Sequence, residues 1–119
     1  MNAKFPGARY ITDKLPMNYL WMGLISMALP NAKMVLCLRN PMDCGLSIYR
    51  QDFRSDNFWY NDLSMIGRIY KQFHRVVSHW QEVMPDKFFI MDYDKLVQNP
   101  EEEVRALIDY LAASRITAT

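Results

Sequence analysis

Apolar and polar positions change period several times along the chain, and each change predicts an element. Residues 9 to 13 (RYITD) alternate and carry β-branched and aromatic side chains, and Pro16 prevents regular continuation, so a short strand is expected there. From Asn18, read as an N-cap, the apolar residues Leu20, Trp21, Leu24, Ile25, Ala28 and Leu29 keep helical spacing until Pro30-Asn31 stops it. Residues 33 to 38 (KMVLCL) form a continuous apolar run of strand length, which predicts a central parallel strand covered on both faces.

Asn40-Pro41 then supplies an N-cap and an N1 proline, with Asp43 at N3, where a carboxylate favours free amides and the positive end of the helix dipole. A second helix is expected from there to about Phe53, followed by a polar and aromatic loop from Arg54 to Asn61. From Asp62 onward, Ile66, Ile69, Tyr70, Phe73, Val76, Val77, Trp80, Val83 and Met84 hold the i, i+3, i+4, i+7 pattern of a long helix. Pro85-Asp86 breaks it, and residues 87 to 92 (KFFIMD) read as a third buried strand. Asn99-Pro100 with Glu102 at N3 resembles a capping box opening a last helix, whose buried stripe is Val104, Leu107, Ile108 and Leu111. The order strand, helix, strand, helix, helix, strand, helix implies an α/β fold: an open parallel sheet of about three strands with four flanking helices.

Composition narrows the class. The chain has 119 residues, 50% hydrophobic and 23% charged, which suits one globular domain with a single core. Net charge is +1, giving no electrostatic reason to expect a nucleic-acid-coating protein. Residues 1 to 60 hold 7 basic and 4 acidic side chains, against 7 and 9 in residues 61 to 119, so any anion recognition falls in the first half. Pro30, Asn31 and Lys33 divide the most hydrophobic stretch, so no membrane span is expected, and without a secretory h-region the chain reads as cytoplasmic. Cys37 and Cys44 have neither zinc nor disulfide spacing, and His74 and His79 point away from one another on a helix, so no metal is expected.

Ligands of open α/β sheets collect at the carboxyl ends of the strands, where helix N-termini present unpaired amides. Lys14 follows the first expected strand and Arg39 the second, which puts both cations at one sheet edge. Ser47 lies seven residues past the Asn40 cap, two helical turns along the same face, where its hydroxyl can join Arg39 around one anion. Arginine's planar fork donates two parallel hydrogen bonds, which suits a phosphate ester. Singly, each residue has an ordinary alternative: a surface cation, a solvated lysine before a proline, a serine bonded to a helix carbonyl. Asp43 is assigned to capping, because facing a phosphate it would repel it. Asp92 and Asp94, flanking Tyr93, read as a solvated loop rather than an acid/base pair, because alternation points them away from any shared target.

TDKLPMN from Thr12 to Asn18, LPNAKMVLCLRNPMDCGLSIY from Leu29 to Tyr49, HW at His79 and DYDKLVQNP from Asp92 to Pro100 together resemble the sulfotransferase family. Within it they look closest to bacterial tetratricopeptide-associated and tyrosylprotein-type members. The resemblance covers residues 9 to about 111 of a single domain spanning 1–119, with 112–119 as a tail. Its most specific part, R-x-P-x-D-x-x-x-S from Arg39 to Ser47, is similar to the family's binding motif for the 3′-phosphate of the sulfate donor, 3′-phosphoadenylyl sulfate. The resemblance implies that Arg39 and Ser47 bind the nucleotide (product adenosine 3′,5′-bisphosphate), with Tyr93 nearby, and that Lys14 holds a catalytic position. Sulfuryl transfer builds negative charge on the bridging oxygen of the leaving phosphate, where a fixed ammonium stabilises the transition state more than the ground state. A protonated lysine is no base, so the group that deprotonates the acceptor hydroxyl comes from elsewhere.

The family's serine- and glycine-containing loop for the 5′-phosphosulfate normally precedes the DKxP segment, and the four glycines of this chain, at 7, 23, 45 and 67, are each isolated. The expectation is a partial, P-loop-like sulfotransferase fold, truncated at both ends and inactive alone. The alternative from another class is a non-catalytic nucleotide-binding or self-associating module, while a kinase-type piece lacks any G-x-x-x-x-G-K-[ST]. Without the strand that normally lies beside Lys33 to Leu38, an apolar sheet edge would invite a second copy. Sedimentation is expected to show self-association at micromolar concentration, and a clean monomer on dilution would argue against the edge.

Overall fold

The computed structural model describes residues 11–51 and 58–113. Two strands, β1 (Met34–Leu38) and β2 (Phe88–Asp92), pair in parallel, from Met34 opposite Phe88 to Leu38 opposite Asp92. Parallel neighbours need a crossover, which here runs through α2 (Pro41–Arg50) and α3 (Leu63–Val83). Upstream, a 3-10 turn (Pro16–Trp21) leads into α1 (Met22–Ala28); downstream, the short α4 (Tyr93–Gln98) and α5 (Pro100–Ala112) follow β2 directly. The α/β class and parallel sheet agree with the sequence pattern, with two strands and five α-helices among the described residues where about three and four were expected.

The core is built around α3. Its buried residues Ile66 and Val77 are eleven apart, three helical turns, and so share one face. Among the described residues, Met22 of α1 and Phe88 and Met91 of β2 are the other buried apolar side chains. Asp62 caps α3, its carboxylate accepting from the Ser64 and Met65 amides at 2.7 and 3.2 Å. Further along, the Trp80 indole donates to the Tyr19 carbonyl at 2.7 Å, and the Tyr19 ring meets Phe73 edge-on at 4.9 Å. The indole lies so close to α1 that a Cβ on Gly23 would stand 2.9 Å from its Cη2. This anchor fixes α1 on α3.

At the other end of the sheet, the Tyr110 hydroxyl of α5 sits 3.3 Å from both the Met34 and Lys87 carbonyls, where its one proton is shared between the starts of the two strands. Its ring lies 5.4 Å from Phe89, and the Lys33 ammonium is 4.7 Å from the ring centroid. Burial pushes the phenol above its usual range, partly opposed by the hydrogen bond to Met34.

Several local expectations are corrected. Of the strand expected at 9–13, residues 9 and 10 lie outside the described residues, and Ile11 to Asp13 are irregular, with Ile11 85% exposed. Alternation over five residues is too weak to hold a strand with no partner ladder, and the Asn18 amide, donating to Asp13 at 2.8 Å, folds the segment locally instead. Asn18 therefore lies inside the 3-10 turn and is not a cap; the cap position falls on Leu15. Strand β1 alternates between half-buried and exposed residues, with Val35 39% exposed, so it is not covered on both faces. Helix α2 closes at Arg50, and Phe53 lies outside the described residues. Asn99 makes no side-chain cap, because it closes α4 through its amide to the Lys95 carbonyl (2.8 Å) while its own carbonyl opens α5 by accepting from Glu103 (3.2 Å).

Gly23→Ala is expected to destabilise the chain by about 1–3 kcal/mol in denaturant unfolding, since a hydrogen-bonded indole cannot move aside freely. Gly67→Ala, where nothing lies within 4 Å of the added Cβ, is the control, expected to be neutral or stabilising by up to ~1 kcal/mol. Equal midpoints for the two variants would contradict the indole anchor.

Candidate functional site: an anion groove at the strand ends

Because β1 and β2 are parallel and end in register, the residues after each strand emerge at one edge. Arg39 and Asn40 follow β1, while Tyr93 and Asp94 follow β2. Two caps shape this edge. The Asn40 side chain accepts from the Met42 and Asp43 amides at 2.9 and 3.4 Å, starting α2 as the sequence predicts, and a cap of this kind contributes about 1 kcal/mol. The Asp92 carboxylate accepts from the Asp94 and Lys95 amides at 2.9 and 3.3 Å, starting α4.

One bond joins the two junctions: the Asn40 amide donates to the Asp94 carboxylate at 2.9 Å across 54 residues of sequence. Beside it, the Arg39 guanidinium lies over the Tyr93 ring, 5.3 Å from the centroid. No hydrogen bond or ion pair among the described residues takes up the Arg39 N–H groups, so the guanidinium can still donate to an anion.

An open groove of about 440 Å³ runs along α2 from this edge, lined by Arg39, Asp43, Leu46, Ser47, Arg50 and Gln51. Arg39 and Ser47, eight apart in sequence, thus share one concave surface. Arg50, about one helical turn beyond Leu46 and Ser47, lines the same groove and adds a second arginine to it. Neither arginine forms an ion pair among the described residues. The Asp43 carboxylate also lines the groove, a correction to its assignment as a capping residue only: Asn40 supplies the cap, and the Asp43 side chain moderates the positive field of the two arginines.

The opening of α2 offers no free amide to an anion. Asn40 donates to Asp94, Pro41 has no N–H, Met42 and Asp43 donate to the Asn40 side chain, and Cys44 donates to the Asn40 carbonyl at 2.9 Å. Unpaired helix amides, expected at this edge, are absent from the start of α2, so the groove's free donors there are side chains. Lys14 lies exposed in the irregular segment before Pro16, and no hydrogen bond, ion pair or ring contact joins it to Arg39, Ser47 or Tyr93 among the described residues. Asp92 and Asp94 are not a solvated loop: the first caps a helix and the second bridges the strand ends.

Elsewhere, His74 and Ser78 form a local exposed pair at 3.4 Å, and both Cys37 and Cys44 are free thiols. No group of His, Cys, Asp or Glu side chains among the described residues is placed to hold a metal. No helix among them is long and apolar enough to cross a membrane.

Comparison with known proteins places the chain in a family. A profile described as "Sulfotransferase family" matches residues 2–115. An uncharacterized protein of Aquifex aeolicus (strain VF5) is 34% identical over 103 residues, covering 84% of this chain and 14% of that protein. The chain thus spans about a seventh of its relative's length. No solved structure gives a significant match. With a family match running through both strands and all five helices, the chain belongs to the sulfotransferase family.

Proposed function

We propose that the groove binds the 3′-phosphate end of 3′-phosphoadenylyl sulfate, and that the complete protein transfers a sulfuryl group from this donor to an acceptor hydroxyl. The observation that carries the reading is the convergence of Arg39 and Ser47 on one groove at the strand ends, with the guanidinium fork unspent. A phosphate monoester fits this donor set: a planar fork can donate two parallel hydrogen bonds, the serine hydroxyl a third, and Arg50 adds a second positive charge. Tyr93 stands near the nucleotide in this reading. The donor supplies an activated sulfuryl group, which would pass from its 5′-phosphate to the acceptor oxygen, while this chain's Arg39 and Ser47 hold the 3′-phosphate and so orient the nucleotide.

Lys14 has the electrostatic role in the same proposal. Its ammonium would stabilise the negative charge that grows on the bridging oxygen, while an acceptor base lies elsewhere in the protein. A second reading, a nucleotide-binding or self-associating module without turnover, is favoured by the apolar exposure of β1, whose described neighbour is β2 alone. A second copy pairing with that edge completes its ladder.

Titration with adenosine 3′,5′-bisphosphate separates binding from inherited fold. The unaltered chain is expected to bind, and Arg39→Ala to weaken binding by about tenfold or more, as expected for loss of a charge-assisted bidentate contact. Equal binding by both would reject the Arg39 assignment. In the complete protein, Lys14→Met is expected to lower kcat with little change in donor affinity, and near-normal turnover would reject its catalytic role.

A further inference from the structure

Tyr93 and Asp94 are adjacent, and each reaches across to the junction after β1. The Tyr93 ring lies under the Arg39 guanidinium, and the Asp94 carboxylate accepts from the amide of Asn40, the very next residue. Two contacts from one dipeptide thus land on one dipeptide, Arg39-Asn40, 54 residues away.

We infer that the Tyr93-Asp94 pair positions Arg39, with Asp94 clamping the backbone beside it and Tyr93 holding the guanidinium so that its N–H groups are presented to the groove. Tyr93 and Asp94 are then positioning residues, acting on the anion through Arg39. This rests on the reading of the groove as a phosphate site.

Three observations carry the assignment. Arginine loses rotamer freedom when fixed, so a guanidinium held in advance binds an anion with less ordering cost than one free in solvent. Tyr93 meets Arg39 with its ring, 5.3 Å from the guanidinium carbon, and no ion pair among the described residues competes for the guanidinium N–H groups. The backbone at Asn40 is held by more than its helix, because the Asp94 bond lies outside α2 and ties it to the first turn of α4. That turn is itself fixed by Asp92, whose carboxylate accepts the amides of Asp94 and Lys95. The chain of constraint therefore runs from the end of β2 through the Asp92 cap and Asp94 to the residue beside Arg39.

Removing the Asp94 carboxylate leaves the Asn40 amide at an exposed position where water can satisfy it, so the fold is expected to persist. The test compares adenosine 3′,5′-bisphosphate with adenosine 5′-monophosphate on the full chain, followed by NMR titration to millimolar ligand, in unaltered protein, Asp94→Ala and Asp94→Asn. Asp94→Ala is expected to weaken the bisphosphate about tenfold and leave the monophosphate unchanged, collapsing the preference for a 3′-phosphate. Asp94→Asn, whose amide oxygen still accepts from Asn40, is expected to retain the preference. A merely structural role would weaken both ligands together, and that outcome, or an unchanged preference in Asp94→Ala, overturns the inference while leaving the groove assignment intact. No preference for the bisphosphate in the unaltered chain overturns the groove assignment, and the inference with it.

Discussion

The site depends on the parallel pairing of β1 and β2 with their ends in register, Leu38 opposite Asp92. Parallel direction sends both chain continuations out at one edge, and equal endings bring them there side by side. From that constraint follow the Arg39–Tyr93 stack and the Asn40–Asp94 bond, neither of which antiparallel pairing could form at one end. The opposite end is held by Tyr110, whose hydroxyl faces the carbonyls of Met34 and Lys87. Strands of five residues span roughly 13 Å, so the structural clasp and the anion groove lie on opposite sides of a small sheet.

Occupied amides give the groove its chemical character. Phosphate sites in open α/β folds commonly use the free N–H groups of a helix start, but at α2 these are spent on the Asn40 cap, the Asp94 bridge and the first helical turn. In the proposed site, side chains are left to recognise the anion. Arg39, Ser47 and Arg50 offer directional donors, and Asp43 keeps the groove from being uniformly positive. A site of this kind favours an anion that accepts in-plane, bidentate hydrogen bonds over one that merely carries charge.

Much of this was legible in the sequence, because it depends on short-range signals. The apolar run at 34–38, the Asn40-Pro41 start and the stripe from Ile66 to Val83 each appear as expected. Ser47 could be placed beside the Arg39-Asn40 junction from spacing, since it lies two helical turns past the Asn40 cap on the same face. Arg50 carried the same signal, three residues past Ser47, and was overlooked for want of a motif. Asp94 carried none: its partner is 54 residues away, and only the register of the sheet makes them neighbours. Ile11 to Asp13 are irregular for a related reason, because alternation describes a strand's faces and not whether a ladder exists to hold it. Likewise, an apolar run at β1 states what the strand could bury, and Val35 remains 39% exposed where no described element covers it.

The central claim is that the two strand ends build one anion site from side chains, and backbone NMR of the chain titrated with adenosine 3′,5′-bisphosphate tests it most directly. The account predicts amide shift changes at Arg39, Asn40, Ser47, Tyr93 and Asp94 together, reporting both strand ends, while Met34, Lys87 and Tyr110 at the far end stay unmoved. Changes confined to one strand end, or centred on the Tyr110 clasp, would contradict it.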